Sequence, residues 1–580
     1  MRNKDVQLLI GVDNPELFWT QDERYGRTNE PFAVKTMLGW SIIGGSAYRK
    51  NTLNVNFVSK ADQLLQDQVN CLWKLDMTPN YDTKPGMSRN DRYAMDILRK
   101  SKKWVNGHYQ LKLLWKPGFP KLKSNFKQAN SRLDALRRRF ARDETLRKMY
   151  TETIQGYVDK GFAERINEDD PEDDNCWYLP HHAVSHPRKP DKVRVVFDCA
   201  ARFNGTSLNE QLLTGPDLLN NLFGVITRFR KGRVTLVADI ESMYHQVLVD
   251  TDDRKYLKFL WWPNGNTNLQ PAKYCMKVHV FGAASSPACA NFALQQTTID
   301  NDLSFSKKTI DTVLENFYMD DCLKSVGSAE EAIKESDELT RLLKRGGFNL
   351  TKWLSNSDQV ISNFALEKRA KVCLDLSQSK NILHRVLGVV LDFNEDCFQI
   401  DVNVKDKPLT RRGILSQISA VFDPLGFVAP TTLKARLILQ DLCRLELGWD
   451  VPIPEHLAYR WSKWISNLNC LAQLKVDRYF LDFREADQIQ LHVFCDASQE
   501  GYGVVAYLRI CKSGNICIKF VIGKSRLAPM KSISVPRLEL EAATLAAKLN
   551  YAILRELRRT DMTSTLWTDS NLEAVQDPEC

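Results

Sequence analysis

Phe317-Tyr318-Met319-Asp320-Asp321-Cys322-Leu323-Lys324-Ser325 places two adjacent carboxylates between short runs that favour β-structure. The flanks predict a hairpin, entered through Glu315-Asn316-Phe317 and left through Cys322-Leu323-Lys324-Ser325. Both acids then stand at its solvent-facing tip. Adjacent aspartates repel each other, and a bound cation relieves that repulsion. An Asp-Asp pair is also an ordinary turn sequence, because aspartate hydrogen-bonds to its own backbone. These residues alone leave both readings open.

A third acid stands upstream. Arg233-Val234-Thr235-Leu236-Val237-Ala238-Asp239 is a β-favouring run that ends on a carboxylate, and Tyr244 follows five positions later. Divalent-metal nucleotidyl transfer needs a few carboxylates that hold two magnesium ions roughly 3.5–4 Å apart. One ion activates the attacking oxygen and the other stabilises the leaving pyrophosphate. Magnesium takes few protein carboxylates together with substrate phosphates, so three acids on two strands suffice.

With those residues in place, a family resemblance follows. Asp239 with Tyr244, then Phe281-Gly282-Ala283-Ala284-Ser285-Ser286-Pro287, then Tyr318-Met319-Asp320-Asp321 resemble successive palm motifs of a reverse transcriptase. Longer stretches resemble polyproteins of Bel/Pao-type long-terminal-repeat retrotransposons: Tyr178-Leu179-Pro180-His181-His182-Ala183-Val184, Val193-Arg194-Val195-Val196-Phe197-Asp198, Gly347-Phe348-Asn349-Leu350-Thr351-Lys352-Trp353 and Phe422-Asp423-Pro424-Leu425-Gly426-Phe427-Val428-Ala429-Pro430. The resemblance covers nearly the whole chain.

The resemblance implies an α+β multidomain protein. A right-hand polymerase of fingers, palm and thumb precedes a mixed-sheet ribonuclease H-like module, and a small β protease remnant stands at the N-terminus. The expected divisions are 1–46 (the remnant), 47–110 (a linker), 111–375 (fingers and palm), 376–482 (thumb and connection) and 483–580 (a truncated ribonuclease H-like domain). Residues 8–13 and 31–40 resemble the late strands of a retroviral-type aspartic protease. That chemistry needs an Asp-Thr/Ser-Gly triplet sharing a proton with its twin. No such triplet occurs, and Asp13 sits in a different motif, so no protease activity is expected.

The site residues are likewise implied by the resemblance. Asp239, Asp320 and Asp321 match the catalytic metal ligands, with magnesium as cofactor. Arg194, and more weakly Lys192, match a basic position that grips the incoming triphosphate, for which a guanidinium is well suited; Lys192 reads equally as a charged strand-edge residue. Tyr244 matches the aromatic beneath the incoming sugar, where its bulk would exclude a ribose 2′-hydroxyl. Core packing is its other reading. Gly282, Ser286 and Pro287 match the motif shaping the nascent base-pair pocket, and Tyr318 and Met319 complete the substrate-binding set. Phe281 stands where many retroviral enzymes carry glutamine. The expected partners are an RNA template, a DNA primer, the RNA–DNA hybrid, deoxynucleoside triphosphates and other products of the retroelement polyprotein.

A second acid set follows. Leu491-His492-Val493-Phe494-Cys495-Asp496 alternates as a strand, Gly501-Tyr502-Gly503 reads as a turn, Pro536–Ala543 opens a helix containing Glu539, and Leu566-Trp567-Thr568-Asp569 reads as another strand. Asp496, Glu539 and Asp569 resemble the metal ligands of ribonuclease H. The fourth acid and histidine of that family find no match, so hybrid cleavage is expected to be weak or absent.

Composition is compatible with this reading. A net charge of +9, from 80 Lys+Arg against 71 Asp+Glu, suits a polyanionic partner. Fourteen cysteines without a Cys-x-x-Cys pair indicate neither a zinc ribbon nor a disulfide framework. No apolar run is long enough for a membrane span, and the polar start is not a signal peptide. An intracellular, cytoplasmic location is expected, particle-associated in an intact element. Phe126, Ala129, Leu133, Leu136 and Phe140 recur at helical spacing opposite Arg137-Arg138-Arg139, a face read as solvated more readily than as a nucleic-acid contact. His181, His182 and His186 lack the frame of a zinc site and are expected to be structural. The competing function is a relic or co-opted protein that binds nucleic acid without turnover.

Overall fold

The structure, a computed structural model, describes residues 86–569 except 119–121, 168–173, 187–188, 371–382, 403–404, 481–482, 484 and 532. It also describes three strands in a separate unit, Met1–Leu72. There β1 (Asp22–Arg24), β2 (Phe32–Thr36) and β3 (Gly39–Ile43) pair antiparallel. Residues 8–13, part of the protease resemblance, and residues 47–85 of the expected linker lie outside the described residues.

Residues 89–101 are not linker. Ser88 and Asp91 form a reciprocal capping box that satisfies amides at the start of α1 (Arg89–Ser101). Ala94, Met95 and Leu98 supply the buried face of this helix. A tight hairpin follows, β4 (Lys103–Val105) and β5 (His108–Leu111).

The helical periodicity becomes α2 (Phe126–Phe140), which buries Ala129, Leu133, Leu136 and Phe140 while Arg137-Arg138-Arg139 stay exposed. Asp143 accepts the Leu146 amide at 2.9 Å and starts α3 (Glu144–Asp159). These helices share an aromatic core with β6 (Ala163–Arg165), β7 (His181–His186) and β8 (Lys189–Phe197). His181 is buried there as a structural residue: the Tyr150 hydroxyl is 2.5 Å from Nδ1, and Nε2 lies 2.9 Å from the Leu260 carbonyl.

After α4 (Leu222–Phe229) comes β9 (Val234–Ile240), the central strand of the site. Short strands β10 (Leu248–Val249), β11 (Lys258–Trp261) and β12 (Ala272–Met276) lead to α5 (Ser286–Ile299) and α6 (Lys307–Glu315). Then β13 (Phe317–Tyr318), β14 (Asp321–Val326), α7 (Ala329–Lys344) and β15 (Leu350–Leu354) complete a sheet of order β13-β14-β9-β15. Strand alternation divides its side chains between two cores. Leu236, Ala238, Ile240 and Cys322 pack under α5, α6 and α7, whereas Val237 and Leu323 join a core reaching the C-terminal module. Asp239 and Asp321 continue the second face, beyond the end of that core.

A second sheet pairs β16 (Leu383–Val386), β17 (Val389–Asp392), β18 (Cys397–Gln399) and β19 (Lys475–Asp477). Between β18 and β19, α8 (Arg411–Ile418), α9 (Ala429–Arg444) and α10 (Glu455–Leu468) form a small core. Asp423, in the Asp-Pro-Leu-Gly motif, accepts the Phe427 and Val428 amides at 2.9 and 2.8 Å. It serves the start of α9.

The C-terminal sheet has order β22-β21-β20-β23, from β20 (Gln488–Ala497), β21 (Gly501–Lys512), β22 (Asn515–Leu527) and β23 (Thr563–Trp567). The β20–β23 pair is parallel, and its crossover contains α11 (Val535–Leu557). Ile489, Leu491, Val493 and Cys495 face the Leu538, Leu545 and Leu549 side of the buried core, leaving His492, Phe494 and Asp496 on the other face. Gly501-Tyr502-Gly503 is not the turn: it lies within β21, and the chain reverses at 498–500. Gly501 is needed there because a Cβ would collide with the Arg526 carbonyl of β22.

Two buried arginines join this module to the central sheet. The Arg478 guanidinium, fully buried, donates to both Asp396 oxygens at 2.6 and 2.7 Å and to the carbonyls of Phe229, Gly232 and Arg233. Arg230 donates to the carbonyls of Asp477, Arg478 and Val521 and lies 4.0 Å from the Phe480 ring centre. Nearby, Arg228 at the end of α4 pairs with Glu556 of α11. No described helix is long and apolar enough to cross a membrane.

Candidate metal centres and nucleotide pocket

The hairpin between β13 and β14 closes in two residues, with Tyr318 opposite Asp321 and Met319 at φ 55°. Glu315 and Asn316 do not belong to its entering strand. They end α6, which Ser306 caps and which buries Ile310 and Val313. The Asn316 side chain then donates from Nδ2 to the Leu323 carbonyl at 2.8 Å and starts the reversal.

Register brings the three acids to one end of the central sheet. Asp321 is the direct partner of Asp239, and the Ile240 amide donates to the Asp320 carbonyl at 2.8 Å. Burial, then the charges of Asp320 and Asp239, raise the Asp321 carboxyl to about 7. Asp320 is also raised, by the protein walls around it and by Asp239, while Lys352 and Arg194 oppose the shift. One cation is already present: Lys352 Nζ lies 2.8 Å from Asp239 Oδ1. Lys352 has φ +57° and sits where β15 loses register with β9, between Thr351 and Leu354. The donor set is all oxygen and short of positive charge, which suits a hard divalent ion.

Around these acids, Tyr244 is 9% exposed, and its ring centre lies 4.6 Å from that of Phe281. Burial and the Asp320 charge push its phenol up to about 12. Phe281 thus supplies a ring against Tyr244 at the position where glutamine was the comparison. Gly282 has φ +114°, and a Cβ would collide with the Phe197 carbonyl, so β8 and this turn meet only through glycine. Ser286 is buried with Oγ donating to the Val280 carbonyl at 2.8 Å, and Pro287 lies in the first turn of α5. Arg194 is exposed on β8, with its charge acting on Asp320; the Lys192 side chain lies outside the described residues. Met319 Sδ lies 3.9 Å from Asn291 Nδ2 and Tyr318 packs against the shared core.

Sequence reading missed three contributors. Lys352, within the Gly347–Trp353 motif, carries no signal of its own in the sequence. Asn209 braces the pocket turn by donating to the Gly282 carbonyl at 2.9 Å and accepting the Ala284 amide at 2.8 Å. Glu241 accepts from Lys160 and Asn349, both at 2.9 Å. Only the position of Glu241, two residues after Asp239, gave any sequence signal.

In the C-terminal module, Asp496 from β20, Glu539 from α11 and Asp569 beyond β23 offer oxygens all within 4.8 Å of one another. It is the one such cluster of three metal-type ligands found among the described residues; the central-sheet acids are spread more widely. Glu539 Oε2 is buried without a hydrogen-bond partner, and burial with the Asp496 and Asp569 charges raises its carboxyl. An orphaned carboxylate oxygen facing two further acids fits a divalent cation.

Comparison with known proteins agrees with the two sheets. Residues 195–353 match the reverse transcriptase (RNA-dependent DNA polymerase) family, and residues 410–570 match the Pao retrotransposon-like RNaseH-like domain. The chain therefore carries a reverse transcriptase domain followed by a retrotransposon RNase H-like domain. Together the two matches support a Pao-type retroelement polyprotein. A foamy viral protease-reverse transcriptase solved in complex with double-stranded DNA is similar at TM-score 0.48 and 12% identity, over 93% of this chain and 90% of that one. No curated protein matches.

Proposed function

We propose that this chain is an RNA-directed DNA polymerase that extends a DNA primer on an RNA template, with deoxynucleoside triphosphates as substrates. The pairing of Asp239 opposite Asp321, with Asp320 at the adjoining turn, carries this reading. In it the central sheet is the palm of a right-hand polymerase, the elements around β7 and β8 are its fingers, and the second sheet with its helices is the thumb and connection. The three-stranded unit before residue 44 is read as an inactive protease remnant.

Asp239, Asp320 and Asp321 would hold two magnesium ions, which activate the primer 3′-oxygen and stabilise the leaving pyrophosphate. Arg194 and Lys192 bind the triphosphate. Tyr244, held by Phe281, excludes a 2′-hydroxyl, and Gly282 lets the pocket wall approach the base pair. Ser286 and Pro287 hold that wall on α5, and Tyr318 and Met319 carry the acids under the primer terminus. Asp496, Glu539 and Asp569 would bind the same metal for cleavage of the RNA strand. With no fourth acid joining them among the described residues, slow cleavage is expected.

Primer extension on an RNA template with magnesium tests the reading. The Asp320→Asn/Asp321→Asn variant should lose about a thousandfold or more in rate, the equivalent of several kcal/mol of transition-state stabilisation. Its hybrid affinity should stay close to the parent's. One observation favours a second reading, a binding protein without turnover: Lys352 already neutralises Asp239. A parent that binds hybrid but extends no primer, while Lys352→Met gains extension, would establish that silenced state.

A further inference from the structure

Gly346 lies so close to Thr297 that a Cβ would collide with its side chain. This packing brings the C-terminal ends of α5 and α7 together. The β4–β5 hairpin is fixed beside them, with the Tyr109 hydroxyl donating to Asp300 at 2.8 Å. Two adjoining recesses of about 370 and 310 Å³ result, sharing Arg345 as a common wall.

Their charge is one-sided. Lys102, Lys103, Arg341, Lys344 and Arg345 line them against a single carboxylate, Asp300. Asp300 is already engaged by Tyr109, by Gln296 at 2.6 Å and by Lys102 at 3.2 Å, and Lys103 reaches Asp250 at 3.0 Å. Arg341 and Lys344 are exposed and have no acid partner among the described residues. Arg345 lies 5.0 Å from the Phe305 ring centre and donates to Asn301 at 3.1 Å.

Cations at helix C-termini have an ordinary explanation, since they offset the helix dipole. That explanation leaves the aromatic lining unaccounted for. Trp104 is 52% exposed in the same recess, edge-on to Tyr109 with ring centres 5.0 Å apart. Ile299 and Leu303, on either side of Asp300 and Asn301 in the chain, are 62% and 98% exposed.

We propose that this trough binds single-stranded nucleic acid, with phosphates on Arg341, Lys344 and Arg345 and a base stacked on Trp104. Unpaired cations beside an exposed aromatic ring suit a strand whose bases are free to stack. A duplex buries its base faces and gains only the phosphate contacts. None of the lining residues belongs to either carboxylate site, so the proposal stands apart from the polymerase reading.

The test is fluorescence anisotropy of a labelled single-stranded RNA on the full chain, with any duplex-binding cleft saturated by unlabelled RNA–DNA hybrid. Arg341→Glu/Lys344→Glu should weaken binding about tenfold and reduce the salt slope by about 1.4, for two lost phosphate contacts. Trp104→Ala should weaken it about fivefold or more through lost stacking. Hybrid affinity should be unchanged in both, which also reports folding. A charge-matched control on exposed lysines elsewhere, Lys434→Glu/Lys463→Glu, should bind as the parent does. The proposal is overturned if hybrid displaces the strand, if the trough variants bind like the parent, or if the control weakens equally. Competition by poly-glutamate as effective as by RNA would also overturn it, in favour of an acidic polypeptide partner.

Discussion

Asp321 holds its proton up to about pH 7, well above its ordinary 3.8, because burial and two neighbouring acids disfavour the anion. The folded chain therefore binds this proton more tightly than the unfolded chain. Its contribution to stability is fully present below about 3.8 and is lost as pH rises through about 7. Asp321→Asn should match the parent near pH 4 and become progressively more stable than it toward pH 8, as read by urea melts. A pH-independent difference would contradict this. Added magnesium should narrow the gap at pH 8, where the carboxylates are anionic and free to bind it. Buried His181 and His245, both lowered to about 4, act in the opposite sense. Their contribution is present above the unfolded value of 6.5 and is lost as pH falls through about 4. His245→Gln should flatten the acid limb of the same stability profile.

Among the elements, β9 is legible because a β-favouring run simply ends at Asp239. The α11–β20 packing is legible because Leu491, Val493 and Cys495 alternate while Leu538, Leu545 and Leu549 recur at helical spacing. What escapes the sequence depends on pairing across distance. Lys352 reaches Asp239 from a position where β15 shifts register, so strand alternation gives no face for it. Glu315 and Asn316 read as strand because they precede a hairpin, yet packing of Ile310 and Val313 keeps their segment helical. Arg230 and Arg478 stand among charged neighbours and read as surface residues; each is buried by partners nearly 250 positions away, at separations of 248 and 249. Removing the Arg478 guanidinium would strand Asp396 and three backbone carbonyls. Arg478→Met should cost about 3–5 kcal/mol, visible as a lower urea midpoint. A loss below 1 kcal/mol would mean that water replaces those bonds.

At the scale of residues 86–569, one apolar core spans α4, the central sheet, the second sheet and the C-terminal module. Calorimetry should accordingly show these parts unfolding in a single transition, since each sheet loses one buried face when the other unfolds. Two well-separated transitions would contradict the shared core. That core, with the paired arginines, also holds the two acid clusters at one separation, as the jaws of a locked caliper are held. Under the proposed function, a hybrid lying across both would be measured as it passes. The RNA left behind would then be trimmed at a constant distance from the growing 3′ end, giving fragments of narrow size distribution whatever the template.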